Sequence, residues 1–344
     1  FRPSGVLREG SSHYHLLVTR WYAGAWLAAR RHGRPETEAL EHVVRRALKV
    51  IPRLTLPAGL PLIGDVSPDC PPDHLAGLVP GQDLRNGWTG LLDPAECSAL
   101  AALRDGADPA SPGELAGDGW LRADFGPWAG LWHAARHGWS PMPGHGHQDC
   151  GGFELHFETE PLFIDPGRGA YGDSGEAAYF GSALAHNVVM VDDQDPYPAN
   201  RPYYGDAFRR LLGGDPPALR RNGDTVSLTH HGFGRLAGAG AVTRRWRFTG
   251  TRMTLSDAVE GRGRHRIRRR FHTPCQVTMV PGGVVLTGVN GAYRLSGTDD
   301  DRITVRPTTR WRAYGEGEPA TVIDLIRETT LPWTARVTVE AVKP

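Results

Sequence analysis

Cysteine is scarce in this chain, and no two cysteines are spaced as a metal or redox motif. Only four occur among 344 residues, and none lies in a CxxC pattern; they are Cys70, Cys97, Cys150 and Cys275. This excludes a zinc ribbon, a thioredoxin-like motif and a fold held by a disulfide scaffold, although one or two disulfides remain compatible with the count.

An excess of charge of either sign is also lacking. Lys and Arg together number 39, Asp and Glu together number 38, and the formal net charge is +1. Nucleic-acid-binding domains usually carry a clear basic excess, so we expect no nucleic acid as partner. Hydrophobic residues make up 40% of the chain, which is enough for a sizeable core, and 44 Gly with 28 Pro favour a turn-rich β protein.

Long hydrophobic runs are missing as well. No run approaches the roughly 20 apolar residues that span a bilayer, so we expect no membrane span, and no signal peptide is apparent. Residue 1 is Phe rather than Met. We therefore expect the chain to be the C-terminal part of a longer protein.

Residues 1–115 have the hydrophobic period of helices. Apolar residues at helical spacing form one face of a segment near residues 40–51, namely Leu40, Val43, Val44, Ala47, Leu48 and Ile51. Residues 14–32 show the same pattern, and Asp93 followed by Pro94 is typical of a helix start. Pro57–Asp83 is a long loop, and loops of that length are usually functional.

From about residue 117 the period changes to two. Phe153, Leu155 and Phe157 alternate with polar residues, and Pro281-Gly282-Gly283 separates two further short strands. A run of antiparallel strands with tight turns favours a β-sandwich. The sequence thus predicts two domains, helical over residues 1–115 and an antiparallel β-sandwich over residues 116–344.

Four residues near strand ends form a candidate metal site. His145 and His147 lie at i and i+2 in an extended segment rich in glycine, so their side chains point the same way. Asp165 follows a strand, and His186 precedes one. Imidazole and carboxylate groups suit Zn²⁺ or a similar divalent ion.

Three chemistries compete for this pattern. A metallo-β-lactamase-type hydrolase has an HxHxD motif, but it needs a His where Cys150 stands, and a helix rather than a strand after it. A cupin-like metal site would leave the helical third unexplained. The third possibility is a family whose pattern fits most of the chain.

The sequence resembles the heparinase II/III-like polysaccharide lyases, which include oligoalginate lyases. The resemblance is carried by His145-Gly146-His147-Gln148-Asp149, Phe163-Ile164-Asp165-Pro166-Gly167 with Tyr171, Ala185-His186-Asn187, Arg269-Arg270-Phe271-His272, Glu9-Gly10-Ser11-Ser12-His13-Tyr14-His15 and Leu62-Ile63-Gly64-Asp65. It covers nearly all 344 residues. It implies an α+β multidomain fold, in which helices of a partial (α/α) toroid precede a large antiparallel β-sandwich.

The resemblance also implies an activity and a set of residue roles. The activity is β-elimination of a uronate-containing polysaccharide, and the location by analogy is periplasmic or secreted. Tyr14 matches the catalytic Tyr, and His145 matches the catalytic His, as base or carboxylate neutraliser. The matching metal ligands are His147, Asp165 and His186, with Zn²⁺ as the expected ion in a largely structural role.

Two departures from the family bear on these roles. Family members carry an Asn or Asn-His carboxylate neutraliser some tens of residues before the Tyr, and only 13 residues precede Tyr14 here. The Arg that often precedes the HN element is replaced by Gly181-Ser182-Ala183-Leu184. Two alternatives therefore stay open: a non-catalytic protein of glycan binding or exopolysaccharide assembly, and a metal-dependent hydrolase.

The expected partner is an acidic polysaccharide or oligosaccharide. The basic run from Arg262 to His272 could contact it, because guanidinium groups pair bidentately with carboxylates. The candidate contact residues are Tyr171, Arg268, Arg270 and His272, and Tyr203, Tyr204 and Trp311 could stack on sugar rings.

Overall fold

Helices occupy the first third of the chain, and strands occupy most of the remainder. The computed structural model describes residues 1–106, 108–134, 144–198, 205, 207–208, 211, 214–298 and 300–342. The helices are α1 (Ser12–Arg31), α2 (Thr37–Leu48), α3 (Ile51–Leu54), α4 (Pro94–Asp105), α5 (Pro112–Gly117) and α6 (Gly175–Gly181). Short 3₁₀ turns lie at Pro72–Leu78, Gly87–Leu91, Ala183–Ala185 and Gly232–Arg235.

The helices predicted from periodicity are confirmed. Residues 14–32 lie in α1 apart from the last, and α4 begins at Pro94 with a capping box between Asp93 and Glu96. α1, α2 and α4 pack around a shared apolar cluster. In the described part of the chain these helices do not close into a ring, so the toroid that the resemblance implied is not evident. Three long helices are too few to close one.

The strands form three antiparallel sheets. One has the order β1-β2-β3-β4, the second β14-β15-β10-β5, and the third β11-β12-β13-β16-β9-β8-β7-β6. Their bounds are β1 (Trp120–Phe125), β2 (Trp128–His133), β3 (Gly152–Phe157), β4 (Glu160–Phe163), β5 (Val189–Val191), β6 (Ala218–Asn222), β7 (Thr225–His230), β8 (Ala239–Thr249), β9 (Arg252–Gly261), β10 (Arg264–Thr273), β11 (Gln276–Val280), β12 (Gly283–Thr287), β13 (Ala292–Ser296), β14 (Arg302–Ala313), β15 (Glu316–Thr330) and β16 (Trp333–Val342). The predicted sandwich-like β domain is confirmed.

The sheet β1–β4 is buried on both faces. Trp128 and Trp132 of β2 point into the large core that the three sheets share. Leu131, which points the opposite way, packs with Val50 and Leu54 of the helical part. This sheet therefore joins the helices to the other sheets. The predicted boundary at residue 115 falls within α5, and it stays a prediction.

A buried arginine connects the eight-stranded sheet to the loops before β3 and β5. Arg244 of β8 is fully buried, and its Nε donates to Asp257 of β9 at 2.9 Å. Its Nη1 donates to the carbonyl oxygens of Gly151 and Asn187, at 2.9 and 2.6 Å. Because these two residues end the segments that carry His147 and His186, Arg244 holds both segments against the sheet.

Two expectations from composition can be compared with the fold. All four cysteines are free, and three of them are buried. Among the described residues, the helices are too short or too polar to cross a bilayer.

Candidate active site and metal-ligand cluster

The start of α1 is held against the loop over residues 61–66. Ser11 caps the helix by accepting a hydrogen bond from the Tyr14 amide at 3.0 Å, and its hydroxyl donates to the Asp65 carbonyl at 2.8 Å. The Ser12 amide donates to the Ile63 carbonyl at 3.0 Å. These bonds place Tyr14, in the first turn of α1, next to Asp65.

A glycine allows three segments to meet at this point. Gly64 has φ +78°, and a Cβ there would lie 2.6 Å from the carbonyl oxygens of both Gly10 and His145. The adjoining amide of Asp65 donates to the His145 carbonyl at 2.9 Å. The missing side chain at residue 64 therefore lets the segment around His145 approach α1.

Replacing Gly64 by Ala should separate these segments. The substitution combines a left-handed backbone with two close contacts, so we expect it to cost clearly more than the about 1–2 kcal/mol of the backbone alone. Gly33→Ala is the matched control, because Gly33 has φ +58° with no atom within 4 Å of the added Cβ. Denaturant unfolding measures both, and equal losses would contradict the close approach.

Tyr14 and His145 form a stacked pair. Their ring centroids are 3.5 Å apart at an interplanar angle of 11°. The Tyr14 hydroxyl lies 2.9 Å from the hydroxyl of Tyr171, which in turn donates to the Val66 carbonyl at 3.0 Å. The Tyr171 hydroxyl proton is thus engaged, and its oxygen can accept a hydrogen bond from the Tyr14 hydroxyl. Burial, then the hydrogen bond with Tyr14, raises the pKa of Tyr171 well above its usual value.

The carboxylate of Asp65 faces three side chains near the Tyr14–His145 pair. It lies 3.1 Å from His145 Nδ1, 2.8 Å from His147 Nε2 and 2.9 Å from Arg168 Nη1. Burial raises the pKa of Asp65, but the hydrogen bonds from the two histidines and the charge of Arg168 outweigh it, so the pKa lies well below its usual value. Sequence reasoning gave Asp65 no role; its one signal was the Leu62–Asp65 match.

A second cluster of potential ligands is buried. One ligand atom from each of Asp149, Asp165 and His186 lies within 4.8 Å of the others, and His186 Nδ1 is 2.7 Å from Asp165 Oδ2. The His147 ring lies 5.2 Å from the His186 ring, centroid to centroid. The structure therefore brings His147, Asp165 and His186 together, and it adds Asp149, which sequence reasoning left without a role.

Buried polar atoms in this cluster lack hydrogen-bond partners among the described residues. They are His147 Nδ1, His186 Nε2 and Asp149 Oδ1. Unpaired buried polar groups are rare and require an explanation, such as an ion or water. The other ring nitrogen of His147 is held by the Asp65 carboxylate, as is usual for metal-bound histidine. The donor set therefore fits a divalent metal ion such as Zn²⁺.

Comparison with known proteins identifies the family of the chain. A sequence model of the family described as "Heparinase II/III-like, C-terminal" matches residues 108–338. The chain belongs to this family. The match includes the segments of His145, His147, Asp165 and His186, while Tyr14 and Asp65 lie before it. No curated protein matches the chain.

Solved structures of heparinases share the fold of this heparinase II/III-like chain. A heparan sulfate lyase from Pedobacter heparinus is 14% identical to this chain with a TM-score of 0.68. The superposition covers 100% of this chain and 54% of the lyase. A heparinase III gene product is 17% identical with a TM-score of 0.71, and the superposition covers 99% of this chain and 53% of that protein. Another heparinase III is 16% identical with a TM-score of 0.66, and the superposition covers 99% of this chain and 55% of that protein. The chain spans about half the length of these structures.

The basic residues of β10 are paired internally. Arg270 is buried, and its Nε donates to Asp324 at 2.6 Å. Arg268 donates to Asp193 at 2.6 Å and to Asp324 at 2.8 Å. Burial raises the pKa of Asp324, but its hydrogen bonds and charge contacts with these arginines outweigh this effect, so the pKa lies below its usual value. A glycan at the surface cannot reach Arg270, contrary to the expectation from alternation alone.

His272 is also inaccessible to a glycan. It is fully buried, its Nδ1 lies 3.2 Å from Asn187 Oδ1, and burial lowers its pKa well below the usual value, which keeps the ring neutral. Trp311 is partly exposed and lines a cavity between the helical and β parts. Gly169 and Gly317 lie close to its ring, since a Cβ at Gly169 would be 2.2 Å from the ring and one at Gly317 3.1 Å from it. Tyr203 and Tyr204 lie outside the described residues. Tyr171 is a contact candidate that lies beside Tyr14.

Proposed function

We propose that this protein acts as a polysaccharide lyase that cleaves a uronate-containing acidic glycan by β-elimination. The observation that carries the proposal is the stacked pair of Tyr14 and His145, partly exposed and backed by the Asp65 carboxylate. The family supports lyase chemistry, and solved structures with the same fold are named heparan sulfate lyase and heparinase III.

The reaction requires an acid and a base close to one sugar ring. A base removes the C5 proton, and an acid protonates the glycosidic oxygen that leaves C4. Negative charge builds up on the uronate carboxylate, so a positive or hydrogen-bonding group must face it. We assign Tyr14 as the general acid, and as base for one uronate epimer. His145, whose side chain is 28% exposed, is the base or the carboxylate neutraliser.

A cavity between the helical and β parts supports a glycan-binding cleft. It has a volume of about 460 Å³ and is lined by residues from both parts. His13 of α1, the residue before Tyr14, borders it, as do Asp165 and Arg310 of the β part. Burial lowers the pKa of His13 to about 4, so this ring is neutral. We propose that the glycan enters along this junction.

We propose that the buried cluster binds Zn²⁺ or a similar divalent ion in a structural role. His147, Asp165 and His186 would hold the ion, with Asp149 as a further donor. A bound ion would neutralise the buried carboxylates and tie together the segments before β3 and β5. A metal-dependent hydrolase would instead need an open coordination position that faces the substrate.

Removing a donor from the buried cluster should release the metal. The purified protein is expected to contain about one divalent ion per chain, and His147→Ala or Asp165→Ala should lose it, because a site with fewer ligands binds far more weakly. His42→Ala, an exposed histidine on α2, is the control. Elemental analysis of folded protein measures the content. Metal-free wild type, or variants that keep the ion, would contradict the assignment.

Ultraviolet absorbance tests the proposed reaction directly. Elimination creates a C4–C5 double bond conjugated to the carboxylate, whereas hydrolysis and binding do not. The full-length protein should raise this absorbance on at least one of a panel of uronate polysaccharides. Shortening of the polysaccharide without a rise in absorbance would indicate a hydrolase. Binding without shortening would indicate the non-catalytic glycan-binding alternative.

A further inference from the structure

The buried carboxylate of Asp65 receives donors from three directions. Its Oδ2 faces His145 Nδ1 at 3.1 Å, and its Oδ1 faces both His147 Nε2 at 2.8 Å and Arg168 Nη1 at 2.9 Å. Asp65 is 4% exposed. Its main chain is held on both sides, since its amide donates to the His145 carbonyl and its carbonyl accepts from Ser11.

An ionised carboxylate can only accept hydrogen bonds. Each ring nitrogen that faces Asp65 must therefore carry the proton. In a neutral imidazole the second nitrogen is then the acceptor, which is Nε2 in His145 and Nδ1 in His147. His147 Nδ1 is the buried atom without a partner in the metal-ligand cluster.

We propose that Asp65 is a positioning residue that sets the tautomers of His145 and His147 at once. It leaves the His145 Nε2 lone pair for the substrate and the His147 Nδ1 lone pair for the buried cluster. The use of the His145 lone pair in elimination rests on the proposed function. The tautomers themselves do not depend on it.

Arg168 links Asp65 to the turn that carries Tyr171. Besides Asp65 it donates to the carbonyls of Ala170 and Gly172, at 2.9 and 3.2 Å. Its guanidinium carbon lies 5.2 Å from the Tyr171 ring centroid. Asp65 thereby anchors the turn that brings the Tyr171 hydroxyl to Tyr14.

Asp65→Asn should affect the two histidines differently, because the two carboxylate oxygens of Asp65 have different partners. The amide oxygen should take the Oδ1 position, since an NH₂ group there would face the Arg168 guanidinium, which cannot accept a hydrogen bond. The NH₂ group is then directed at His145 Nδ1, which must become an acceptor. We expect His145 to change to the Nε2–H tautomer and His147 to keep its own.

Selective ¹⁵N-histidine labelling of the full-length protein measures the tautomers by NMR, with His145→Gln and His147→Gln to assign the signals. The wild type should show Nδ1–H in His145 and Nε2–H in His147. In Asp65→Asn we expect the His145 switch, an unchanged metal content, and a fall in kcat of at least about 10²-fold with a smaller change in KM. Asp69→Asn, exposed in the same loop, should alter none of these.

The outcomes separate this proposal from the proposed function. His145 with Nε2–H in the wild type, or with Nδ1–H in a folded Asp65→Asn protein, would overturn the role of Asp65 even if the enzyme is a lyase. A lack of elimination with the predicted tautomers would overturn the lyase proposal and leave Asp65 as the positioning residue. If Asp65→Asn does not fold, the wild-type tautomers decide.

Discussion

Replacing Tyr14 by Phe should abolish elimination and leave the fold intact. The variant loses the hydroxyl that we propose protonates the leaving oxygen, and general acid catalysis contributes about 10²–10⁴-fold to the rate. The Phe ring can still stack on His145. Tyr171 keeps its hydrogen bond to the Val66 carbonyl, so no buried group is left unpaired. We therefore expect a stability change below about 1 kcal/mol.

Tyr22→Phe is the matched control for this experiment. Tyr22 lies on the same helix, is 39% exposed and packs against the ring of Phe1, remote in role from the proposed acid–base pair. The rise in ultraviolet absorbance on the best substrate measures activity, and thermal unfolding measures the fold. Retention of most activity in Tyr14→Phe would show that another group protonates the leaving oxygen.

Among the substitutions proposed for this protein, Asp257→Asn should cause the largest loss in the free energy of unfolding. Arg244 and Asp257 are at most 1% exposed, and removing the carboxylate charge leaves a buried guanidinium without its counter-ion. Breaking one partner of a buried ion pair costs about 3–5 kcal/mol of the free energy of unfolding. Since Arg244 also bonds to the Gly151 and Asn187 carbonyls, the damage should extend to the metal-ligand segments.

An exposed pair in the same sheet supplies the comparison. Arg252 and Glu340 join β9 to β16 at 2.8 Å, but their side chains are 51% and 47% exposed. Glu340→Gln should cost about 0–1 kcal/mol, because exposed pairs are screened by water. Denaturant unfolding followed by circular dichroism measures both variants. A loss in Asp257→Asn no larger than that in Glu340→Gln would show that the buried pair does not stabilise the fold.

Much of the architecture follows from local sequence patterns. The change from helical to alternating periodicity near residue 117 predicted the order of helices and strands, because a half-buried helix and a half-buried strand need different spacings of apolar residues. The start of α4 was predictable from Asp93 and Pro94, since capping involves only adjacent residues. The partial toroid was the exception, because the closure of a helical ring depends on how helices pack and not on local spacing.

The proposed site divides in the same way. His145, His147, Asp165 and His186 could be selected from the sequence, because each lies beside a strand end in a distinctive motif. Asp65 and Asp149 were assigned no role, although both lie in motifs that carried the family resemblance, because a motif does not show which atoms a carboxylate faces. Asp65 acquires its role through His145, 80 residues away, and Tyr14 meets Tyr171 across 157 residues.

The sequence by itself determined the class of the protein, its order of elements and most of the candidate ligands. Tertiary structure alone decided which charged side chains are accessible to a ligand. Alternation along β10 gives Arg268 and Arg270 the same face, but the pairing of β10 with β15 places Asp324 opposite Arg270. That contact buries the guanidinium instead of presenting it to a glycan. Whether a charged side chain meets solvent or a counter-ion depends on the strand that packs against it, and residue spacing does not encode that partner.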